Sequence, residues 1–266
     1  VERIFDEELA KAFGVFQGQI TVMIHSGSRG YGHQVCDDFL KSMLSSPETK
    51  ALNLADRELC SAPISSQPAQ DYLAAMKTAI NFAFCNRHLM MSWTREAFEQ
   101  VYKRDWESLG MDLLYDVCHN IAKIEEHKGR KVCVHRKGAT RAFWKGMKEI
   151  PEKYRNVGQP VIIPGSMNTA SYLLCGMPGA AETFGSSCHG AGRVMSRHQA
   201  MNTWNGRELI NKMRSEGMAV QVQDARAIAE EAGGAYKDVD AVVKSVEVAG
   251  ISKIVARMVP MGVVKG

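Results

Sequence analysis

The chain has 266 residues, is 45% hydrophobic, and sets 33 lysines and arginines against 29 acidic residues, a net charge of +4. That length and composition suffice for a real core in one large domain or two small ones. A charge this small does not argue for nucleic acid by itself, no apolar run approaches a membrane span, and seven cysteines without a CxxC pair suit reduced thiols in the cytoplasm.

The chain opens VERIFDEELAKAF, without a methionine and as if in mid-sequence, so a portion of a longer protein is expected. Asp6 to Phe13 predicts a short helix ending near Gly14. Gln19 to His25 alternates as a strand, with Ile20, Val22 and Ile24 on one face. It runs into a three-glycine loop, Ser26 to Gly32, and a helix is predicted from Gln34 to Ser45. Ser46 to Gln70 is polar, punctuated by prolines, and reads as a surface excursion. From Asp71 to Arg104 the spacing of Leu73, Met76, Ile80, Phe84 and Met91 predicts a long helix or a helix pair. Leu113, Leu114, Val117, Ile121 and Ile124 predict another, closed by Gly129.

Lys131 to His135 reads as a strand entering a basic loop, Arg136 to Arg141. Val161 to Ile163 and Ser171 to Cys175 are short strands around Pro164-Gly165-Ser166. Helices are predicted at Arg207–Ser215, Ala225–Ala232 and Asp238–Ala249, and Ile251 to Val264 alternates as extended chain. Strands and helices mix without a regular βαβ rhythm. The fold class expected is therefore α+β, with mixed sheets surrounded by helices.

The stretch richest in chemistry is Phe184 to Arg197, FGSSCHGAGRVMSR. Its small residues let backbone approach a ligand closely. Ser186, Ser187 and His189 can donate or accept there, and Arg193 and Arg197 would share one face if Arg193 opened a helix. A neutral imidazole in this setting can be a general base, a metal ligand or a nucleophile towards phosphorus. The same residues also read as a Gly-rich turn around a buried, hydrogen-bonded histidine. Equally plain readings exist elsewhere: Gly27–Gly30 as a turn, His119 as a core histidine on an apolar helix face, and Arg136–Arg141 as a solvated loop.

Six segments in order carry a resemblance. HSGSRGYGHQ, DVCHNIAKIEEH, VHRKGATRAF, PGSMNTASY, FGSSCHGAGRVMSR and the ending AYKDVD…GISKIVARMVPMGVVKG resemble the RtcB family of RNA-splicing ligases, across essentially the whole chain. The resemblance implies that residues 1–266 form the C-terminal portion of an RtcB-like catalytic domain, a single large domain. It implies a histidine that attacks GTP and carries GMP as a phosphoramidate, with two Mn²⁺ ions assisting. The GMP passes to an RNA 3′-phosphate, made from a 2′,3′-cyclic phosphate, and a 5′-hydroxyl then displaces it. The RNA would be tRNA halves or other cleaved RNA, and an activating protein is a further partner to consider.

On the matching positions His189 is the guanylylated residue, and His25 and His119 are metal ligands. Ser166, Ser171, Ala191, Gly192, Tyr236 and Lys265 hold the nucleotide, with Tyr236 offering a ring to stack on the base. Arg29, Lys137, Arg141 and Arg197 would meet RNA phosphates. The family's other metal ligands, an aspartate and a cysteine in a DxCGxG-like segment and a histidine in an NHF-type segment, have no counterpart. They are expected upstream of Val1, and two imidazoles alone are expected to hold Mn²⁺ weakly. Asn168 stands where the family's PGSM-G-TASY pattern has glycine, and the segment from Cys175 to Glu182 looks one residue short. Two other readings stay open: a non-catalytic RNA- or nucleotide-binding remnant, and a metal-dependent phosphoesterase using the histidines only as ligands.

Overall fold

The computed structural model describes residues 1–56 and 59–266. Its architecture is α+β, as the mixed pattern indicates, and the chain divides into two compact units, residues 22–122 and residues 1–21 with 123–266. In the second unit the chain begins with β1 (Arg3–Ile4) and α1 (Glu7–Phe13). Asp6 caps α1 by accepting from the Leu9 amide at 2.9 Å, and Gly14 closes it at φ +72°.

The unit of residues 22–122 is built on α2 (Arg29–Leu44), a single turn α3 (Pro47–Lys50) and the 36-residue α4 (Gln67–Tyr102). The long apolar pattern from Asp71 is thus one helix rather than a pair. Ser66 caps it and a left-handed Lys103 ends it. Gly32 of α2 faces Ala79 of α4, where a Cβ would make ordinary contact at 3.6 Å, but it would stand only 1.9 Å from the hydroxyl of the α2 cap Ser28. Helix α2 starts five residues earlier than predicted, so the three-glycine loop is partly helical. The polar stretch after Ser45 contains α3, and its residues 57 and 58 lie outside the described chain.

Two sequence expectations fail in physically simple ways. Residues 19–28 form no strand with the described residues, and Ile20 and Val22 stay largely exposed, at 61% and 49%. Alternation supplies the side-chain pattern of a strand, but a ladder also needs a partner. The helix predicted up to Gly129 is instead β2 (Asn120–His127), paired with β3 (Arg130–Lys137). Lys128 and Gly129 both have positive φ, +50° and +73°, which is the two-residue turn that matches strand twist. Gly129 is therefore a hairpin residue and not a helix stop.

Beyond β3 the remaining elements are β4 (Ala139–Arg141), α5 (Glu152–Arg155), β5 (Pro160–Ile163), β6 (Ser171–Gly176), β7 (Ser186–Cys188), α6 (Arg197–Thr203), α7 (Gly206–Ser215), β8 (Ala219–Val222), α8 (Ala225–Glu230), α9 (Val239–Val248), β9 (Ser252–Met258) and β10 (Gly262–Lys265). The main sheet runs β1-β9-β6-β5, antiparallel throughout, with a register shift at Leu173/Leu174. Its core joins Val161, Ile163, Tyr172, Leu174 and Ile254 to Val239 and Val243 of α9. A smaller core of Ile210, Met213, Val220 and Ile228 lies between α7, α8 and the parallel pair β8–β10. Strand β3 takes in Arg136 and Lys137, and β4 pairs with β7, so most of the Arg136–Arg141 run expected to be a solvated loop is ladder.

Candidate functional site

In the unit of residues 22–122, two histidines 94 positions apart meet. His25 Nε2 lies 3.0 Å from His119 Nε2, with the rings edge to face at 83°. His25 follows an irregular segment and His119 directly precedes β2, so neither sits on the strand or helix expected for it. Side chains of α4 reach the residues beside both histidines. Asn86 donates to the Ser26 hydroxyl at 3.0 Å and to the Gly27 carbonyl at 2.9 Å. Arg87 donates to the Ser26 carbonyl at 3.2 Å, to Asp116 Oδ1 at 2.7 Å and to Cys118 Sγ at 3.8 Å. Neither residue is legible as functional in the sequence, because both lie inside an unbroken helical pattern.

The pair's geometry suits a metal. Two imidazole nitrogens at this separation can both reach one metal ion, and ligand softness alone would favour zinc over manganese. The His119 Nδ1 atom is buried, and Nε2 is the nitrogen that meets His25.

In the other unit, His189 directly follows β7, whose register sets Ala139 opposite Cys188 and Thr140 opposite Ser187. The turn between β3 and β4 lies against the ring. A Cβ built on Gly138 would stand 3.8 Å from His189 Nδ1, and Gly138 itself is left-handed at φ +67°. Nδ1 of His189 is buried. Burial pushes the neighbouring Cys188 thiol up, which suits an unreactive thiol. Ser187 is buried within the β4–β7 ladder, and Ser186 accepts from Arg136 at 3.0 Å.

Arg193 does not open a helix. Helix α6 starts at Arg197 with a capping box between Ser196 and Gln199, so the two arginines share no helical face. Arg193 bridges instead to Tyr236, donating to its hydroxyl at 2.9 Å while the guanidinium covers the ring at 4.8 Å. Both arginines nonetheless reach one carboxylate. Glu231 lies 3.7 Å from each of Arg193, Arg197 and Lys265, and accepts the Tyr236 hydroxyl. Burial first, and then the bond to Glu231, pushes the Tyr236 hydroxyl up to about 12. Glu231 lies outside the six segments that carry the resemblance, and Lys265, on β10 beside β8, reaches it.

Ser166 donates to Asn168 Oδ1 at 3.1 Å, and Ser171 accepts from the Gly165 amide at 3.0 Å, which tightens the loop between β5 and β6. Asn168 is not among the residues with positive φ, so replacing glycine there introduces no left-handed strain. Ala191 is buried, and Gly192 is left-handed at φ +76° with its carbonyl accepting from Lys237. Among the basic residues, Arg29, Lys137 and Arg197 are exposed. Arg141 is turned inward, donating to Gln159 at 3.0 Å and to the Glu149 carbonyl. Arg136 is no part of a solvated run: it is 3% exposed and grips Glu125 at 2.7 and 2.8 Å.

Residues 1–266 match the family described as tRNA-splicing ligase RtcB. The chain belongs to the RtcB family. It is 53% identical over 271 residues to the tRNA-splicing ligase RtcB of Thermococcus kodakarensis, covering 100% of this chain and 56% of that protein. With the namesake from Archaeoglobus fulgidus the figures are 52%, 100% and 56%. With that from Pyrococcus furiosus they are 54%, 100% and 28%. The chain thus spans about half the length of these RtcB relatives, or less.

Proposed function

We propose that this chain carries the nucleotide-transfer half of an RNA ligase. In this reading it joins RNA 3′-phosphate or 2′,3′-cyclic phosphate ends to 5′-hydroxyl ends, using GTP, as in tRNA splicing or RNA repair. The observation that carries the reading is His189: an imidazole at a strand end, between small residues, with Nδ1 buried against the Gly138 turn. In this reading Nε2 is the nitrogen that meets the nucleotide. The relatives' names add support, since each is called a tRNA-splicing ligase.

His189 Nε2 attacks the α-phosphorus of GTP, a P–N bond forms, the bond to pyrophosphate breaks, and pyrophosphate leaves. At a cyclic end, water first attacks the phosphorus and the P–O2′ bond breaks, leaving a 2′-hydroxyl and a 3′-phosphate. The RNA 3′-phosphate then takes the GMP group, breaking the P–N bond and returning the imidazole. A 5′-hydroxyl oxygen attacks that activated phosphate, loses its proton, and GMP departs with the joined strand left behind. Lys265 and Arg193 supply fixed positive charge for the nucleotide, Tyr236 an aromatic face, and the β5–β6 loop with Ser166 and Ser171 further donors. The His25–His119 pair would hold a divalent cation, read as Mn²⁺ from the family, with further ligands from elsewhere. A cation held there supplies charge stabilisation for the transferring phosphoryl group. Lys137 and Arg197 are exposed cations suited to an RNA backbone, as is Arg29.

A ligation assay separates the readings. The ligase reading expects a 5′-hydroxyl strand and a 2′,3′-cyclic-phosphate strand to be joined only when GTP and Mn²⁺ are both present. Release of phosphate without joining would favour the phosphoesterase reading. Binding of either strand with neither outcome would favour the remnant.

A further inference from the structure

We propose that Asn86 and Arg87 are positioning residues for the His25–His119 pair, a role that rests on the pair's holding a metal. His25 lies in a segment without regular structure and His119 immediately before β2, so side chains that tie down the flanking residues help fix where the two imidazole nitrogens meet. Helix α4 supplies such side chains. Asn86 fixes Ser26 and Gly27, directly after His25, through two hydrogen bonds of 3.0 and 2.9 Å. Arg87 reaches both segments at once, taking the Ser26 carbonyl on one side and Asp116 and Cys118 on the other. Its guanidinium has the forked donors that three separate acceptors need, whereas a lysine ammonium is a single point charge.

The side chain is well placed to stay put. It is 11% exposed, Asp116 is 24% exposed, and the guanidinium packs over the Phe84 ring at 4.5 Å. A rigid helix side chain thus converts two loops into one preformed pair of ligands. Groups that orient metal ligands in this way are typically worth about tenfold to a hundredfold in metal affinity.

Electrostatics and positioning give opposite signs. Arg87 is a cation close to the place where a cation would bind. Removing its charge, and unmasking Asp116, would tighten metal binding if charge were all that mattered. If positioning decides, the same change loosens the pair and weakens binding.

The test uses Mn²⁺ alone, titrated by electron paramagnetic resonance, on the wild type and on Arg87→Met, Asn86→Ala and His25→Ala variants. Thermal melts run alongside check that each variant folds. Arg87→Met and Asn86→Ala should each weaken Mn²⁺ about tenfold, and the Co²⁺ absorption spectrum of each should broaden as ligand geometry loosens. Unchanged or tighter Mn²⁺ binding by folded Arg87→Met would overturn the proposal. Asn86→Ala changes no charge, so it decides the matter should Arg87→Met fail to fold. If His25→Ala leaves Mn²⁺ affinity unchanged, the metal reading itself is wrong and the positioning role falls with it.

Discussion

At the scale of single residues, the decisive groups are those whose partners leave them few alternatives. Glu231 is one. It accepts the Tyr236 hydroxyl and lies within ion-pair distance of Arg193, Arg197 and Lys265. Glu231→Gln removes the negative charge that disfavours a phenolate, so the Tyr236 pKa should fall from about 12 towards the ordinary 10.0, held up by burial alone. Absorbance titration of Glu231→Gln, minus the same variant carrying Tyr236→Phe, reads this directly. An unchanged value would mean that Glu231 does not set the tyrosine's environment. Gly138 is another such residue. Alanine there must adopt φ +67°, at a cost of about 1–2 kcal/mol, yet its methyl would make only ordinary contact with His189 at 3.8 Å. Gly138→Ala should therefore lower the melting temperature by several degrees while leaving GMP labelling of His189 in place. Loss of labelling without loss of stability would place Gly138 in the chemistry instead.

At the scale of elements, the β2–β3 hairpin holds the Gly-rich stretch through one buried ion pair. Arg136, on β3, grips Glu125 on β2 and also donates to the Phe184 carbonyl at 2.9 Å and the Ser186 hydroxyl at 3.0 Å. Burial raises the Glu125 pKa, but the bonds from Arg136 and His127 outweigh it and leave the group below its ordinary 4.5. A depressed carboxylate stabilises fully above its unfolded pKa, and that contribution is lost as pH falls through the folded one. Arg136→Met should thus cost about 3–5 kcal/mol near neutral pH, because it strands a buried carboxylate. The gap to wild type should narrow in acid. Melts of both proteins from neutral pH down to about pH 3 check this; a constant gap would show that the arginine acts through packing alone. Neither partner announces itself in the sequence. Arg136 sits in a run that reads as solvated, and Glu125 sits where apolar spacing suggests a helix.

What is legible follows the same logic at this scale. Helix α4, the helices α7 to α9, and strands β5 and β6 are readable because their signals are local: periodicity, caps and flanking glycine or proline. Ile20 to Ile24 and Leu113 to Ile124 mislead because a period fixes a face but not the partner for that face. The histidines stand out as residue types within motifs. Their placement does not, since His25 and His119 are 94 positions apart and meet in a contact that no local pattern encodes.

At the scale of the molecule, the two ends of the chain are joined, with β1 pairing to β9 and Lys253 bound to Asp6 at 2.5 Å. This long-range pairing is invisible to any local pattern. The family match runs through all of residues 1–266, and the central proposal for the chain is that His189 is the nucleophile. Its most direct test is where GMP becomes attached. The protein at its natural length would be incubated with GTP and Mn²⁺, denatured, digested and mapped by mass spectrometry. The account predicts an acid-labile, base-stable GMP adduct on the peptide bearing His189, absent from His189→Ala although that variant still binds GTP. An adduct on another residue, or one that survives His189→Ala, would contradict it.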